Sequence, residues 1–275
     1  MKKQESPGFK PWGASQMPAG HILGPTGALI EFPDWLGSLG RSMERPTSFG
    51  TNLAGHRIAQ QTEALTGSST WQVPHLSPAE SGQIEELLRY RPGPWWALSP
   101  WAHQHNALWG PGLPAPTGGP LDLGGGVTSA VSWTINSSAA WPSIPVRAGE
   151  TVTASVWVQR LGSGNEPRLQ FLNVDNAVLA TRTVPASTTL TRQHVTATAP
   201  SAAVSARLSF TGSATNPLAV ARPAITWTST MTTWTAPAAI KVVATELRHE
   251  PTSAAELDGL ASEGETTLTL EEVTR

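Results

Sequence analysis

Residues 151–159 read TVTASVWVQ, and this alternation constrains the fold more than any other feature of the chain. Val152, Ala154, Val156 and Val158 fall on one side, and Thr151, Thr153, Ser155, Trp157 and Gln159 on the other. A period of two fits a strand with one face on a core, whereas a helix would scatter the four apolar side chains around its axis. Similar short runs follow at 168–174, 178–184, 191–199, 207–211 and 219–227. In 191–199, Val195 and Ala197 share a face. Asp175-Asn176-Ala177 reads as a turn, because Asp and Asn bond their own backbone and Asn tolerates left-handed φ. Regularly spaced strands with turns between them predict an antiparallel jelly-roll sandwich over 118–235.

Pro111–Pro120 (PGLPAPTGGP) suits neither a helix interior nor a central strand and marks a boundary. The expected organisation is therefore a domain over 1–117, the jelly roll over 118–235 and a C-terminal strand and extension over 236–275. In the first part, Ser77-Pro78-Ala79-Glu80 is a capping box with proline at the first helical position. Ile84, Leu87 and Leu88 continue it as an apolar stripe, and Arg91-Pro92-Gly93 stops it. Residues 27–32, 57–65 and 70–73 read as strands. The last part carries a strand at 240–247, a helix-prone stretch at 253–261 and an alternating end at 266–273. The fold class is mainly β: an N-terminal barrel- or sandwich-like domain with one short helix, then the sandwich. The segment 236–247 could return to the first domain and make the jelly roll an insertion; the sequence leaves this open.

Composition excludes several function classes. Charged residues are 14% of the 275, against about 25% in typical domains. The net charge is −2 and no basic stripe occurs, so counterion-driven nucleic-acid binding has nothing to act through. Cysteine is absent, which removes disulfides, thiolate metal sites and Cys nucleophiles. MKKQESPGFKPWG has no apolar stretch and is not read as a secretory signal. No run of about eighteen apolar residues exists, so no helical membrane span is expected.

No constellation for bond-breaking emerges. Glu85-Glu86 and Glu271-Glu272 are sequence neighbours, whereas glycosidase carboxylates face each other across a cleft of about 5–9 Å. They are read as solvated. Gly124-Gly125-Gly126 lacks the Lys and Ser/Thr of a phosphate loop. His103 and His105 have no third ligand at a natural spacing. No serine occupies a G-x-S-x-G elbow. No catalysis, cofactor or metal is expected.

Twelve tryptophans against one tyrosine is the strongest anomaly. Trp95, Trp96, Trp101 and Trp109 cluster in a proline-rich segment and serve either to cover a core or to anchor a subunit contact, since both settings select the same residue. Trp157 lies on the polar side of its strand, where a sugar ring could stack; Trp133, Trp141 and Trp227 could join it. The competing reading packs all four against loops or partner chains.

Two resemblances span most of the chain. Residues 50–114 run from a strand pair through Ser69-Thr70-Trp71-Gln72-Val73 and the capped helix. They continue through Arg91-Pro92-Gly93-Pro94-Trp95-Trp96-Ala97-Leu98-Ser99-Pro100-Trp101 to Asn106-Ala107-Leu108. This order resembles minor tail proteins of long-tailed bacteriophages of actinobacteria, in particular the distal tail protein. Residues 151–227 resemble a carbohydrate-binding-module jelly roll. They do so through Ala148-Gly149-Glu150-Thr151-Val152-Thr153, the Asp-Asn turn and Val195-Thr196-Ala197-Thr198-Ala199-Pro200. The resemblances imply a virion tail-tip protein made in the host cytoplasm. They imply a hexameric or trimeric homo-oligomeric ring against the tail tube protein, tail hub and other minor tail proteins. They also imply a jelly roll directed at host cell-surface glycans. A free carbohydrate-binding accessory is the alternative.

Overall fold

The computed structural model describes residues 22–24, 30–31, 38–44, 47–51, 57–61, 66–76, 82, 84–86, 88–89, 93–98, 105–160, 165–251 and 264–273. The expected mainly β, antiparallel class is observed. The first strands are β1 (Ile22–Gly24), β2 (Ile30–Glu31), β3 (Ser38–Glu44), β4 (Thr47–Thr51), β5 (Arg57–Gln61), β6 (Thr66–Leu76) and β7 (Trp95–Leu98). Next come β8 (Ser132–Ile135), β9 (Ala139–Ala140), β10 (Ile144–Pro145), β11 (Thr151–Arg160), β12 (Pro167–Leu172) and β13 (Val178–Thr183). The chain continues with β14 (Thr191–Thr198), β15 (Ser205–Phe210), β16 (Leu218–Thr226), β17 (Ile240–Pro251) and β18 (Gly264–Glu272). Between β6 and β7, residues 82, 84–86, 88 and 89 are helical; the capping box at 77–80 and Leu87 lie outside the described residues, as does 253–261.

Strands from both ends of the chain form one seven-stranded sheet in the order β2-β1-β7-β17-β18-β6-β3. β17 pairs with β7 (Ile240 opposite Ala97, Val242 opposite Trp95) and with β18, which in turn pairs with β6. Everything from β8 to β16 is therefore inserted between two neighbouring strands of this sheet. Its own core gathers Trp71, Ile84, Trp95, Ala97, Val242, Leu268 and Leu270. Ile84 is 1% exposed, so the helical stripe does face this core.

The inserted part is a sandwich. One sheet is β14-β11-β16-β8, and the other is β10-β15-β12-β13 with β9 also on β15. Val152, Ala154, Val156 and Val158 are fully buried between them, as their alternation predicts. Leu169, Phe171, Leu208, Val220 and Ile225 meet them from β12, β15 and β16. The Asp175-Asn176-Ala177 turn forms: Asn173 Oδ1 accepts the Asp175 and Ala177 N–H groups at 3.0 and 2.9 Å, and Asn176 takes φ 61°. Gly124, Gly125 and Gly126 all have positive φ in a turn, the backbone that explains three glycines there.

The proline-rich boundary is not a free linker. Gly118 N–H donates to the Ser132 carbonyl, Thr117 Oγ1 bonds the Thr134 backbone, and Trp133 Nε1 donates to the Pro114 carbonyl. The segment thus caps the edge strand β8, a place where proline costs no ladder bond.

All four residues of β7 are buried, and they divide between two cores. Trp95 and Ala97 enter the core of the seven-stranded sheet, and Trp96 and Leu98 enter that of the sandwich. The strand is a wall common to both, which is why its sequence is a continuous apolar run rather than an alternation.

Candidate functional site

Eight tryptophans were singled out from the sequence, and most are core. Trp133, Trp141 and Trp227 are 7%, 3% and 0% exposed. Trp141 packs edge-on against Trp133 at 5.1 Å and against Phe210 at 4.5 Å. None of the three has a free ring face, so the expectation that they join a sugar platform is corrected: their area is spent in the sandwich interior. Trp95, Trp96 and Trp109 are likewise buried within the chain, at the joint between the sheet and the sandwich. They are not available as subunit anchors, and the core reading holds for them. Trp101 and His103 lie outside the described residues. Glu85, Glu86 and Glu271 are exposed, whereas Glu272 is half-buried beside Gly67, and among the described residues no cluster could hold a metal.

Trp157 occupies a different place. It lies on the outer face of the four-stranded sheet, half-buried. The loop 121–130 folds onto it, and Leu121, Leu123, Val127, Ala130, Leu190 and Ala221 make a small cluster with it. At the other end of the same face, the chain leaving β16 crosses over Thr153. Thr153 Oγ1 donates to the Thr228 carbonyl at 2.6 Å and pairs with Thr196 Oγ1 at 2.8 Å. The outer side of β11 is therefore drier than alternation suggests: Thr153 and Ser155 are 2% and 3% exposed.

Between these two covers runs a strip built around the middle of β11. On one side, Arg192 stands opposite Trp157 in the β11–β14 ladder and donates from Nη2 to Ser155 Oγ at 3.0 Å. On the other side the β11–β16 register shifts between Ser155 and Trp157. β16 carries one residue more than β11 across this gap, and Arg222 within it takes φ 47°. The Arg222 guanidinium lies over the Trp234 ring at 4.5 Å, and Trp234 Nε1 is anchored to the Pro223 carbonyl at 3.1 Å. Burial, and then the nearby Arg222 charge, lower the pKa of Arg192. Among the described residues no carboxylate ion-pairs with either arginine. Arg192 nonetheless stays charged at neutral pH, because an arginine is effectively always protonated.

The parity of 191–199 carried a signal for part of this strip. If Val195 and Ala197 face the core, Arg192, His194 and Thr196 face out beside Trp157. Arg222 had no such signal, since its direction depends on the bulge.

No family model and no curated protein matches the chain. Solved structures that resemble it do so distantly. One holds the carbohydrate-binding and xylanase modules of Clostridium thermocellum xylanase 10B, at 19% identity and TM-score 0.31, over 45% of this chain and 28% of that one. Another is a family 16 carbohydrate-binding module, at 12% identity and TM-score 0.30, over 40% of this chain and 84% of that one. A third is the enzymatically active domain of bacteriophage CBA120 tailspike protein 4, at 10% identity and TM-score 0.28, over 70% of this chain and 19% of that one.

Proposed function

We propose that this chain is a non-enzymatic structural protein of a bacteriophage tail tip. In this reading the seven-stranded sheet is the mounting platform, in a ring with copies of itself between tail tube and baseplate, and the sandwich is the module it displays. The observation that carries the reading is the insertion: the sandwich leaves and rejoins one sheet between the adjacent strands β7 and β17. A platform interrupted in this way can hold its neighbours while the inserted module faces outward. The sequence resemblance of residues 50–114 to distal tail proteins supports the same assignment.

Ring symmetry would multiply weak contacts made by each displayed module, which is what a multivalent reader of a cell surface needs. The test is sedimentation and negative-stain imaging of the purified chain, alone and with a tail tube protein. Rings of three or six copies that dock on tube ends are expected. A chain that stays monomeric at high concentration and ignores tubes would overturn the reading, and sugar binding by that monomer would favour a free accessory module.

A further inference from the structure

The middle of the outer sandwich face holds two guanidinium groups from different strands, brought together across β11 without a counter-charge among the described residues. Like charges placed side by side and partly desolvated cost stability, and apolar residues of similar size would be cheaper for folding alone. The arrangement is also built. A β-bulge aims Arg222, the Trp234 ring supports it from one side, and Ser155 holds one nitrogen of Arg192. A guanidinium resting on an indole face still presents its in-plane N–H groups sideways, in the fork that matches a carboxylate or phosphate.

We propose that this strip, Arg192 and Arg222 between Trp157 and Trp234, binds an acidic polysaccharide through its carboxylate or phosphate groups. A polymer fits better than a small ion, because the site is a strip on a sheet face between two covers, not a closed cavity. The half-buried Trp157 and Trp234 at its sides offer apolar edges to sugar rings. His194, exposed on β14 opposite Ser155, supplies a further polar group to the same row. The biological use of the strip rests on the display reading given above, but its binding chemistry can be tested without any ring.

The experiment is affinity electrophoresis of the full chain in gels containing one of three polymers. Polygalacturonate supplies carboxylates, its fully methyl-esterified form removes them, and a phosphomannan supplies phosphates on a sugar backbone. The wild type should be retarded by at least one anionic polymer and not by the ester; the stronger anion identifies the source. Arg192→Gln and Arg222→Gln should each weaken retardation about tenfold, as for loss of one charge-assisted bond. Their unfolding midpoints should stay level or rise, because a repulsion is relieved. The control is the Arg168→Gln/Arg207→Gln pair on the opposite sheet, which changes the net charge by the same two units as the Arg192→Gln/Arg222→Gln double variant and should leave retardation intact. If Arg192→Gln does not fold, Arg222→Gln alone decides. Absence of retardation by both anionic polymers would overturn the proposal. So would equal weakening by the control pair, or full binding by the folded arginine variants. None of these results bears on ring formation.

Discussion

Asn106 and Pro223 are 117 positions apart, yet the Asn106 side-chain amide donates to the Pro223 carbonyl at 3.1 Å in the buried joint of the molecule. The same nitrogen donates to the Thr235 carbonyl at 3.0 Å, and Oδ1 accepts the Leu108 N–H at 3.2 Å. One fully buried side chain thus ties the segment entering the sandwich to the β16 bulge and to the segment leaving it. Asn106→Leu would leave the buried Leu108 N–H and the part-buried Thr235 carbonyl without this partner, while the Pro223 carbonyl keeps only Trp234 Nε1. We expect a loss of about 3 kcal/mol in urea unfolding, given roughly 1–3 kcal/mol for each buried group left without a partner. Asn106→Asp removes both donors and should cost a similar amount, whereas a change below about 0.5 kcal/mol would show that the joint does not depend on this residue.

Lys241 Nζ sits 4.3 Å from the Trp109 ring centroid and 5.4 Å from that of Trp96. The indole faces favour its charge and burial opposes it; burial prevails, and its pKa lies below the ordinary 10.5. The unfolded chain then binds the proton more tightly than the folded one. Between the lowered folded value and 10.5, stability should rise with pH. The stability difference between wild type and Lys241→Met, followed by denaturant unfolding from pH 7 to 10.5, should therefore shift in favour of the wild type as pH increases. A flat difference would contradict the burial.

Gly212 follows β15 where the chain presses on the turn after β8. A Cβ there would lie 2.7 Å from the Ser137 carbonyl oxygen and 2.9 Å from that of Ile135, both backbone atoms that cannot swing away. Gly212→Ala should lower stability by about 1–3 kcal/mol, the usual cost of overpacking, and calorimetry should show it as a reduced midpoint. Gly119→Ala, where nothing lies within 4 Å, is the matched control.

Trp227 and Trp157 separate interior from strip. Trp227 is fully buried, and Trp227→Ala should cost about 3–5 kcal/mol. Trp157 is half-covered by the loop 121–130, so Trp157→Ala should cost less while loosening that loop. Equal losses in chemical denaturation would mean that the loop seals Trp157 as completely as the core seals Trp227.

The sandwich was legible in the sequence wherever one face met the core and turns had their own chemistry. β11 shows its period of two, and Asn173 and Asn176 close a turn with local bonds. β8, β9 and β10 escaped notice because they are two to four residues long and interrupted by Ser and Pro, too short for any period to appear. Alternation also tells which way Thr153 and Ser155 point, not what lies on them. Their burial comes from segments 37 to 75 positions away, which no local pattern encodes. The tryptophans of β7 were visible as an anomaly, but a strand that walls two cores and a strand that meets a partner chain select the same residues. The arginine strip needed both a ladder register and a bulge, and only the pairing of β11 with two other strands supplies them.

The chain enters and leaves the sandwich at one point: Ala239 N–H bonds the Leu108 carbonyl, and Ala238 N–H that of Asn106. With the two necks side by side, a whole module can be lost, gained or traded by recombination while the ends still meet and the sheet beneath stays closed. Such a layout makes the sandwich a replaceable cassette, so that a change within it need not disturb the seven-stranded sheet.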